Sequence, residues 1–209
     1  MNNNQENLLT EVGDYYTSKL NQHGETPSGV DWNGEEGQTL RFIQICKVFE
    51  NSTSFSVNDL GCGYGALCDF LIAHHQQFSY VGIDISESMI RAAERRYQHM
   101  NQVSFEVSNE PSRIAEYGVA SGIFNVRLGR SDDEWQAHLQ STLDILDRTS
   151  SRGFAFNCLT SYSDADKMKG YLYYADPCVL FDLCKRRYSK NVVLLHDYGL
   201  YEFSIVVRK

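Results

Sequence analysis

The run Asp59-Leu60-Gly61-Cys62-Gly63-Tyr64-Gly65 stands where a short apolar segment, Ser56–Leu60, gives way to helix-forming residues, Ala66–His75. Glycines at such a junction let the backbone turn tightly and approach a ligand closely, because no Cβ intervenes. The backbone amides at the start of the following helix favour an anionic or carboxylate group. The stretch therefore predicts a strand, a ligand-binding loop and a helix in succession.

A carboxylate follows at the end of the next apolar segment. Tyr80–Ile85 is predicted as the second strand, and Asp84 lies at its end. An acid in this position can accept hydrogen bonds from the two ribose hydroxyls of a nucleoside. The loop and this acid together predict a nucleoside-containing cofactor.

The spacing of the glycines distinguishes between cofactors. Sites for NAD use GxGxxG, whereas this loop reads GxGxG and Ala66 follows the third glycine. Asp59 stands two residues before the first glycine, near the position that a pyrophosphate would occupy. A carboxylate there suits a cation better than a dianion. The pattern therefore favours S-adenosylmethionine, which carries a sulfonium and an ammonium group.

The rest of the chain alternates strand-like and helical segments. Ser131-Asp132-Asp133-Glu134 fits a capping box, and Trp135, Leu139, Leu143 and Leu146 then recur at helical spacing. The other predicted elements are a helix at Ser88–Met100 and strands at Val103–Val107, Val119–Val126 and Gly153–Leu159.

The end of the chain predicts an antiparallel pair. Asn191–His196 and Tyr201–Val207 are both strand-like, and only Asp197-Tyr198-Gly199-Leu200 separates them. A parallel crossover needs a dozen or more residues, so these two strands must run in opposite directions.

These features resemble the class I S-adenosylmethionine-dependent methyltransferases over roughly residues 40 to 209. Val57–Gly65 is similar to the first motif of that family and Val81–Ser86 to the second. The resemblance implies an α/β fold with a Rossmann-like, doubly wound seven-stranded sheet, mostly parallel, with an antiparallel strand in the C-terminal hairpin. It also implies roles for individual residues: Asp59, Gly61, Cys62, Gly63 and Gly65 hold the methionine part, Asp84 holds the ribose, Ile85 packs on the adenine, and Ser108 or Asn109 faces the adenine amino group.

The catalytic residues are not assigned by the sequence. The fourth predicted strand lacks the Asn-Pro-Pro-Tyr signature of amino-methylating DNA enzymes and offers Asn125 and Arg127 as the polar residues at its end. A general base is needed only if the acceptor is protonated. Asn125, His196 and Asp166 are candidates for an acceptor-side role, with His23 and Asp197 as further possible bases, and each is also open to a structural role.

Residues 1–40 are predicted as a cap or lid that precedes a cofactor-binding domain at 41–209. The segment Asp14–Asn33 reads as an ordered loop, followed by a helix that contains Arg41. Arg41 could pair with the cofactor carboxylate or lie on the surface. Two tyrosine-bearing segments, Tyr162–Asp166 and Tyr171–Pro177, could line the acceptor opening or pack within a lid.

Charge and composition limit the possible partners. The formal net charge is −8 and the sequence pI is about 5.2, so the basic excess of a duplex-binding protein is absent and DNA is not expected as a partner. No apolar run approaches the roughly 20 residues that cross a bilayer. Six cysteines without a CxxC pair are typical of a reducing cytoplasm, and no metal-ligand spacing occurs. We expect a cytoplasmic monomer or homodimer without a membrane partner.

The sequence leaves the acceptor open. A single compact domain with an acidic pI favours a small-molecule acceptor. A protein or RNA methyltransferase of the same fold is the first alternative. A nicotinamide-dependent reductase and a non-catalytic nucleotide-binding module are the alternatives from other classes.

Overall fold

A seven-stranded sheet with helices on both faces forms the centre of the computed structural model, which describes residues 3–32, 34–50 and 52–209. The strands are β1 (Phe55–Leu60), β2 (Phe78–Asp84), β3 (Val103–Val107), β4 (Ala115–Ala120), β5 (Ser150–Leu159), β6 (Asn191–Leu195) and β7 (Glu202–Arg208). The helices are α1 (Asn3–His23), α2 (Glu35–Ile45), α3 (Ala66–His74), α4 (Glu87–Tyr97), α5 (Asp132–Arg148) and α6 (Pro177–Arg187).

The strand order is β3-β2-β1-β4-β5-β7-β6. β1 to β5 pair in parallel, while β7 pairs antiparallel with both β5 and β6. The predicted fold class and the predicted antiparallel ending are therefore confirmed. The order reverses between β1 and β4, and in open α/β sheets ligands bind outside the carboxyl ends of the strands at such a point.

Helix α5 begins as its sequence predicts. The Ser131 hydroxyl accepts from the Glu134 amide, and the Glu134 carboxylate accepts from the Ser131 amide. Trp135, Leu139 and Leu143 are buried against β1, β2, β4 and β5 in the largest of the three core clusters of the described residues. The second cluster lies on the other face of the sheet, beneath α2 and α3.

The predicted fourth strand, Val119–Val126, is wrong in its bounds. β4 ends at Ala120, and Gly122 turns the chain at a φ of 82°. The loop then folds back over the sheet, where Phe124 is fully buried and its carbonyl accepts from the Trp135 indole at 2.8 Å. The apolar run is a buried loop, which apolar composition alone does not distinguish from a strand.

The predicted loop at Asp14–Asn33 is also wrong in its first half. The residues up to His23 belong to α1, and a single 3₁₀ turn follows at Pro27–Val30. Leu8, Val12 and Tyr16 recur every four residues, the spacing of one helix face. Met1, Asn2 and Asn33, which the predicted segment 1–40 includes, lie outside the described residues.

Candidate functional site

A pocket opens at the carboxyl ends of the parallel strands. Its empty volume, with the open mouth included, is about 1010 Å³. The glycine loop, the ends of β2 and β3 and the loop after β4 form its floor, and α1, α2 and α5 supply walls. All the predicted cofactor residues line it apart from Gly65 and Arg41: Asp59, Gly61, Cys62, Gly63, Asp84, Ile85, Ser108 and Asn109.

The glycine loop is held by the strand beside it. The amides of Gly61 and Cys62 both donate to the carbonyl of Ile83, at 2.7 and 3.0 Å. Gly61 has a φ of 77°, and a Cβ there would lie 2.0 Å from the Ile123 side chain. Gly65 has a φ of 87° and precedes α3, where a Cβ would lie 2.7 Å from the Tyr97 ring. The glycines are required by both the backbone geometry and the close packing.

Asp84 organises the ends of the loop. Its carboxylate accepts from the Gly63 amide at 2.9 Å and from the Ser86 amide at 2.8 Å. Burial raises the pKa of this carboxyl, although the hydrogen bonds from these amides lower it. Ser86 then caps α4 by accepting from the Met89 amide. The side chain is therefore fixed at the edge of the pocket before any ligand arrives.

Asp59 lies deeper in the pocket, where it is 2% exposed. It accepts a hydrogen bond from the Tyr80 hydroxyl at 2.7 Å. Burial raises the pKa of Asp59 to about 7, against the lowering effect of that hydrogen bond. A cationic group next to it would favour the ionised form.

Helix α1 lies along one side of the pocket, to which it contributes Leu9, Val12 and Tyr16. It is held by hydrogen bonds and ion pairs. The hydroxyls of Thr17 and Ser86 are 2.8 Å apart, and Arg130 pairs with Glu11 at 2.6 Å. The first anchor ties α1 to the capping residue of α4, and the second ties it to the residue preceding the cap of α5.

Arg41 was predicted either to pair with the cofactor carboxylate or to lie on the surface, and the structure shows neither arrangement. It is buried, and its guanidinium donates to Glu202 at 2.7 and 2.9 Å and lies 3.8 Å from the centre of the Trp32 ring. The carboxylate that it binds belongs to the chain itself, so Arg41 is not a surface residue. Trp32 lines the pocket, whereas Arg41 lies behind it.

The three acceptor-side candidates lie outside the pocket. Asn125 is buried, and its amide oxygen accepts from the Leu159 amide at 3.1 Å. His196 is exposed, with its ring 5.9 Å from that of Phe203, and Asp166 is exposed beside Lys167. Asn125 was placed near the site only through the wrong strand end.

The tyrosines expected at the acceptor opening also lie outside the pocket. Neither Tyr162 nor Tyr171 lines it, although the Tyr171 ring approaches the Tyr15 ring of α1 at 6.5 Å. Tyr16 and Tyr64 are the tyrosines that do line it.

Sequence reasoning missed the side of the pocket formed by Ser121, His138 and Thr142. His138 lies three residues after Trp135, at the edge of the apolar face of α5, so the helical spacing could have indicated it. Three buried side-chain atoms of the described residues lack a hydrogen-bond partner, and two of them, Ser121 Oγ and His138 Nδ1, belong to this wall. Unpaired polar atoms beside a glycine cradle, together with the buried Asp59 and the half-buried Asp84, fit a polar nucleoside ligand.

The described part of the chain shows neither a metal-binding cluster nor a membrane-spanning helix. Within the described residues, no group of three or more histidine, cysteine or acidic side chains is arranged to hold a metal ion. None of the helices in that part of the chain combines the length and apolar character required to cross a bilayer.

Comparison with known proteins gives a family match. A family model described as "Methyltransferase domain" matches residues 57–148. A protein of Mycobacterium tuberculosis strain H37Rv with the provisional name of methyltransferase is 60% identical over 163 residues, which is 78% of this chain and 98% of the relative.

Solved structures share the fold at low sequence identity. Magnesium protoporphyrin IX methyltransferase from Synechocystis PCC 6803 with bound S-adenosylhomocysteine superposes with a TM-score of 0.68 at 14% identity, covering 96% of this chain and 98% of that one. The N-methyltransferase NodS from Bradyrhizobium japonicum with the same ligand gives 0.66 at 14% identity, covering 94% and 97%.

Proposed function

The chain belongs to the class I S-adenosylmethionine-dependent methyltransferases, and from that premise we propose that its acceptor is a small molecule that binds beside α1. The enzyme class and the cofactor follow from the family. The nature of the acceptor and the roles of individual residues are our proposal.

The residues of the pocket suit the two ends of the cofactor. When bound, S-adenosylmethionine supplies a methyl group on a sulfonium centre. Asp59 would hold the amino group of the methionine part, because a buried carboxylate stabilises a neighbouring cation. Gly61 and Gly63 would allow close approach of the backbone, and Asp84 would accept from the ribose hydroxyls at the end of β2.

The rate of such a displacement depends mainly on alignment and on exclusion of water. In this chain, the side chains that can exclude water are apolar: Leu9 and Val12 of α1 and Ile123 after β4. The indole of Trp32 covers Gly122 so closely that a Cβ there would lie 2.3 Å from the ring. These side chains would enclose the bound cofactor and exclude water from it.

The observation that carries the small-molecule proposal is the position of α1. Leu9, Val12 and Tyr16 cover the pocket from one side, and the two anchors of α1 hold it there. An acceptor beside α1 would therefore meet a partly enclosed site and not an open groove. We further propose that residues 1–40 act as the cap of a domain at 41–209.

Two further observations support a small acceptor. The net charge of −8 disfavours a polyanionic acceptor such as RNA. The fold relatives include one enzyme that is named for magnesium protoporphyrin IX, which is a small molecule.

The test is the destination of a labelled methyl group. Purified enzyme and methyl-labelled S-adenosylmethionine would be incubated with fractions of a bacterial extract: metabolites under about 1 kDa, proteins and RNA. We expect label in the metabolite fraction only. A Gly61→Val variant, whose side chain would collide with Ile123, serves as the inactive control. Enzyme-dependent label in protein or RNA instead would overturn the proposal.

A further inference from the structure

His138 lines the cofactor pocket and carries a buried ring nitrogen without a hydrogen-bond partner. Its Nδ1 is buried without a hydrogen-bond partner, and its side chain lines the pocket with Thr142 and with Ser121, whose hydroxyl is also unpartnered. A buried donor or acceptor that is left unpaired destabilises a protein, so such atoms in the wall of a pocket indicate a ligand that pairs with them. The third unpartnered atom, Ser150 Oγ, does not line the pocket.

Helix α5 is joined at its C-terminal end to the loop that follows β3. Arg148, at the end of α5, forms an ion pair with Glu110, and the carbonyl of Glu110 accepts from the Ser108 hydroxyl. The Ser108 amide in turn donates to the Asp84 carbonyl at 3.0 Å. The end of α5 therefore lies beside the loop that follows β3, whose first residues, Ser108 and Asn109, line the same pocket as His138.

The opposite end of the pocket is different. Gln38 and Phe42 of α2 and Tyr64 of the glycine loop line it, and Phe42 belongs to the core cluster on the other face of the sheet. A nucleoside whose ribose lies at Asp84 has its base attached directly to that sugar. The base can therefore reach the side of the pocket formed by α5 and the loop after β3.

The loop after β4 brings Ser121 toward the same wall. The Trp135 indole donates to the carbonyl of Phe124 in that loop, and the Trp135 ring centre is 5.0 Å from that of His138. Trp135 thus connects the loop that contains Ser121 to the turn of α5 that carries His138.

The chemistry of these groups matches an adenine edge. Burial lowers the pKa of His138 to about 4, so its ring is neutral at pH 7. A neutral imidazole has one donor and one acceptor nitrogen, and a serine hydroxyl can donate and accept. Adenine offers both kinds of group: an amino group that donates and ring nitrogens that accept.

We propose that His138, with Ser121 beside it, hydrogen-bonds the adenine base of the cofactor. This assigns base recognition to α5 in addition to Ile85, Ser108 and Asn109. It does not depend on the identity of the acceptor, which takes no part in the test below.

The test is calorimetric titration of the full chain without acceptor. The ligands are S-adenosylhomocysteine and its analogues in which N1, N3 or N7 is replaced by CH, or the amino group by hydrogen. The proteins are the wild type and His138→Phe, which keeps an aromatic ring and removes both nitrogens. Comparing each analogue in both proteins isolates the pairwise interaction, as in a double-mutant cycle.

We expect His138→Phe to bind S-adenosylhomocysteine about tenfold more weakly than the wild type. At least one analogue should bind the wild type about tenfold more weakly than S-adenosylhomocysteine does. The same analogue should bind His138→Phe as well as S-adenosylhomocysteine does. His138→Asn, which returns a polar group near the Nδ1 position, should recover part of the affinity. If each analogue lost the same fraction of its affinity in the wild type as in His138→Phe, the proposal would be overturned. A purely structural role of His138 predicts that result.

A second measurement does not require the variant to fold. In ¹⁵N-labelled wild-type protein, the ring nitrogens of His138 should shift when S-adenosylhomocysteine is added and shift differently with the analogue that loses affinity. Ring signals of His138 that are identical with all ligands would refute base recognition by this residue.

Discussion

Arg41 and Glu202 form a bidentate ion pair in the interior, with side chains that are 11% and 1% exposed. Their contacts at 2.7 and 2.9 Å join α2 to the start of β7. Glu202 also accepts a hydrogen bond from the side-chain amide nitrogen of Asn157 at 2.6 Å. The side-chain oxygen of Asn157 in turn accepts from the backbone amide of Gly122 at 2.8 Å. Through Asn157, the ion pair holds the backbone turn that borders the pocket.

Removing one partner of this pair should destabilise the protein strongly. Glu202→Gln leaves the Arg41 charge buried without its counterion, and we expect the free energy of unfolding to fall by about 3–5 kcal/mol. Chemical denaturation of the purified variant measures this loss. The double variant Arg41→Met/Glu202→Gln should lose less than the two single variants combined. Additive losses would show that the two side chains are not coupled.

Asp84→Asn should weaken cofactor binding at a moderate cost in stability, because its one oxygen can still accept from only one of the two backbone amides of Gly63 and Ser86. The neutral amide loses the charge-assisted bonds to the ribose hydroxyls, and we expect about 30-fold weaker binding of S-adenosylhomocysteine by calorimetry. Glu87→Gln, which changes an exposed acid three residues later, is the matched control and should bind normally. Unchanged affinity in Asp84→Asn would mean that the ribose lies elsewhere. NADH should not bind any of these proteins.

Asp84→Ala should affect both the fold and cofactor binding. In the structure, the carboxylate accepts from the amides of Gly63 and Ser86, which alanine would leave unpaired. We therefore expect Asp84→Ala to lower the melting temperature as well as the affinity.

The pKa of Asp59, raised to about 7, predicts a pH-dependent affinity. In the free protein this group favours the protonated form, so its contribution to stability is largest below about pH 4 and is lost as the pH rises to 7. The ammonium group of the ligand favours the ionised form. Binding of S-adenosylhomocysteine should therefore strengthen up to about tenfold between pH 5.5 and 7.

Asp59→Asn is the control for this prediction. Its amide oxygen can still accept from Tyr80, but the side chain no longer titrates. The affinity of the variant should be almost independent of pH over the same range. A variant that keeps the wild-type slope would assign the titration to another group.

The cap of α5 should affect stability without affecting the cofactor. Ser131→Ala removes the side-chain acceptor of the Glu134 amide, and we expect a loss of about 1 kcal/mol in the free energy of unfolding. Ser131→Asp should restore most of it, because aspartate is also a good cap. The affinity for S-adenosylhomocysteine should not change in either variant.

The fold was predictable because its signals are local. The glycine loop, Asp84 at the strand end, the capping box at Ser131 and the four-residue link before Tyr201 each follow from short-range geometry. These signals predicted the succession of strands along the chain, the parallel part of the sheet and its antiparallel ending. The fourth strand was extended too far because Phe124 and Val126 are as buried in a loop as they would be in a sheet.

The walls of the site were less predictable because they are built from distant segments. Arg41 meets Glu202 across 161 positions, so no window of sequence shows that its charge is already neutralised. His138 resembles any polar residue at the edge of an apolar helix face. Its place in the pocket depends on how α5 packs beneath the sheet, which is a property of the tertiary fold.

The positions of the chain's two tryptophans provide an optical consequence. Trp32 lines the pocket beside Gly122, while Trp135 lies against His138 at the other wall. Intrinsic fluorescence therefore samples both ends of one cavity without an added dye. In a Trp32→Phe variant, the remaining emission would come from Trp135 and report only the α5 side. Rapid-mixing fluorescence traces of the wild type and this variant could therefore resolve which end of a ligand binds first.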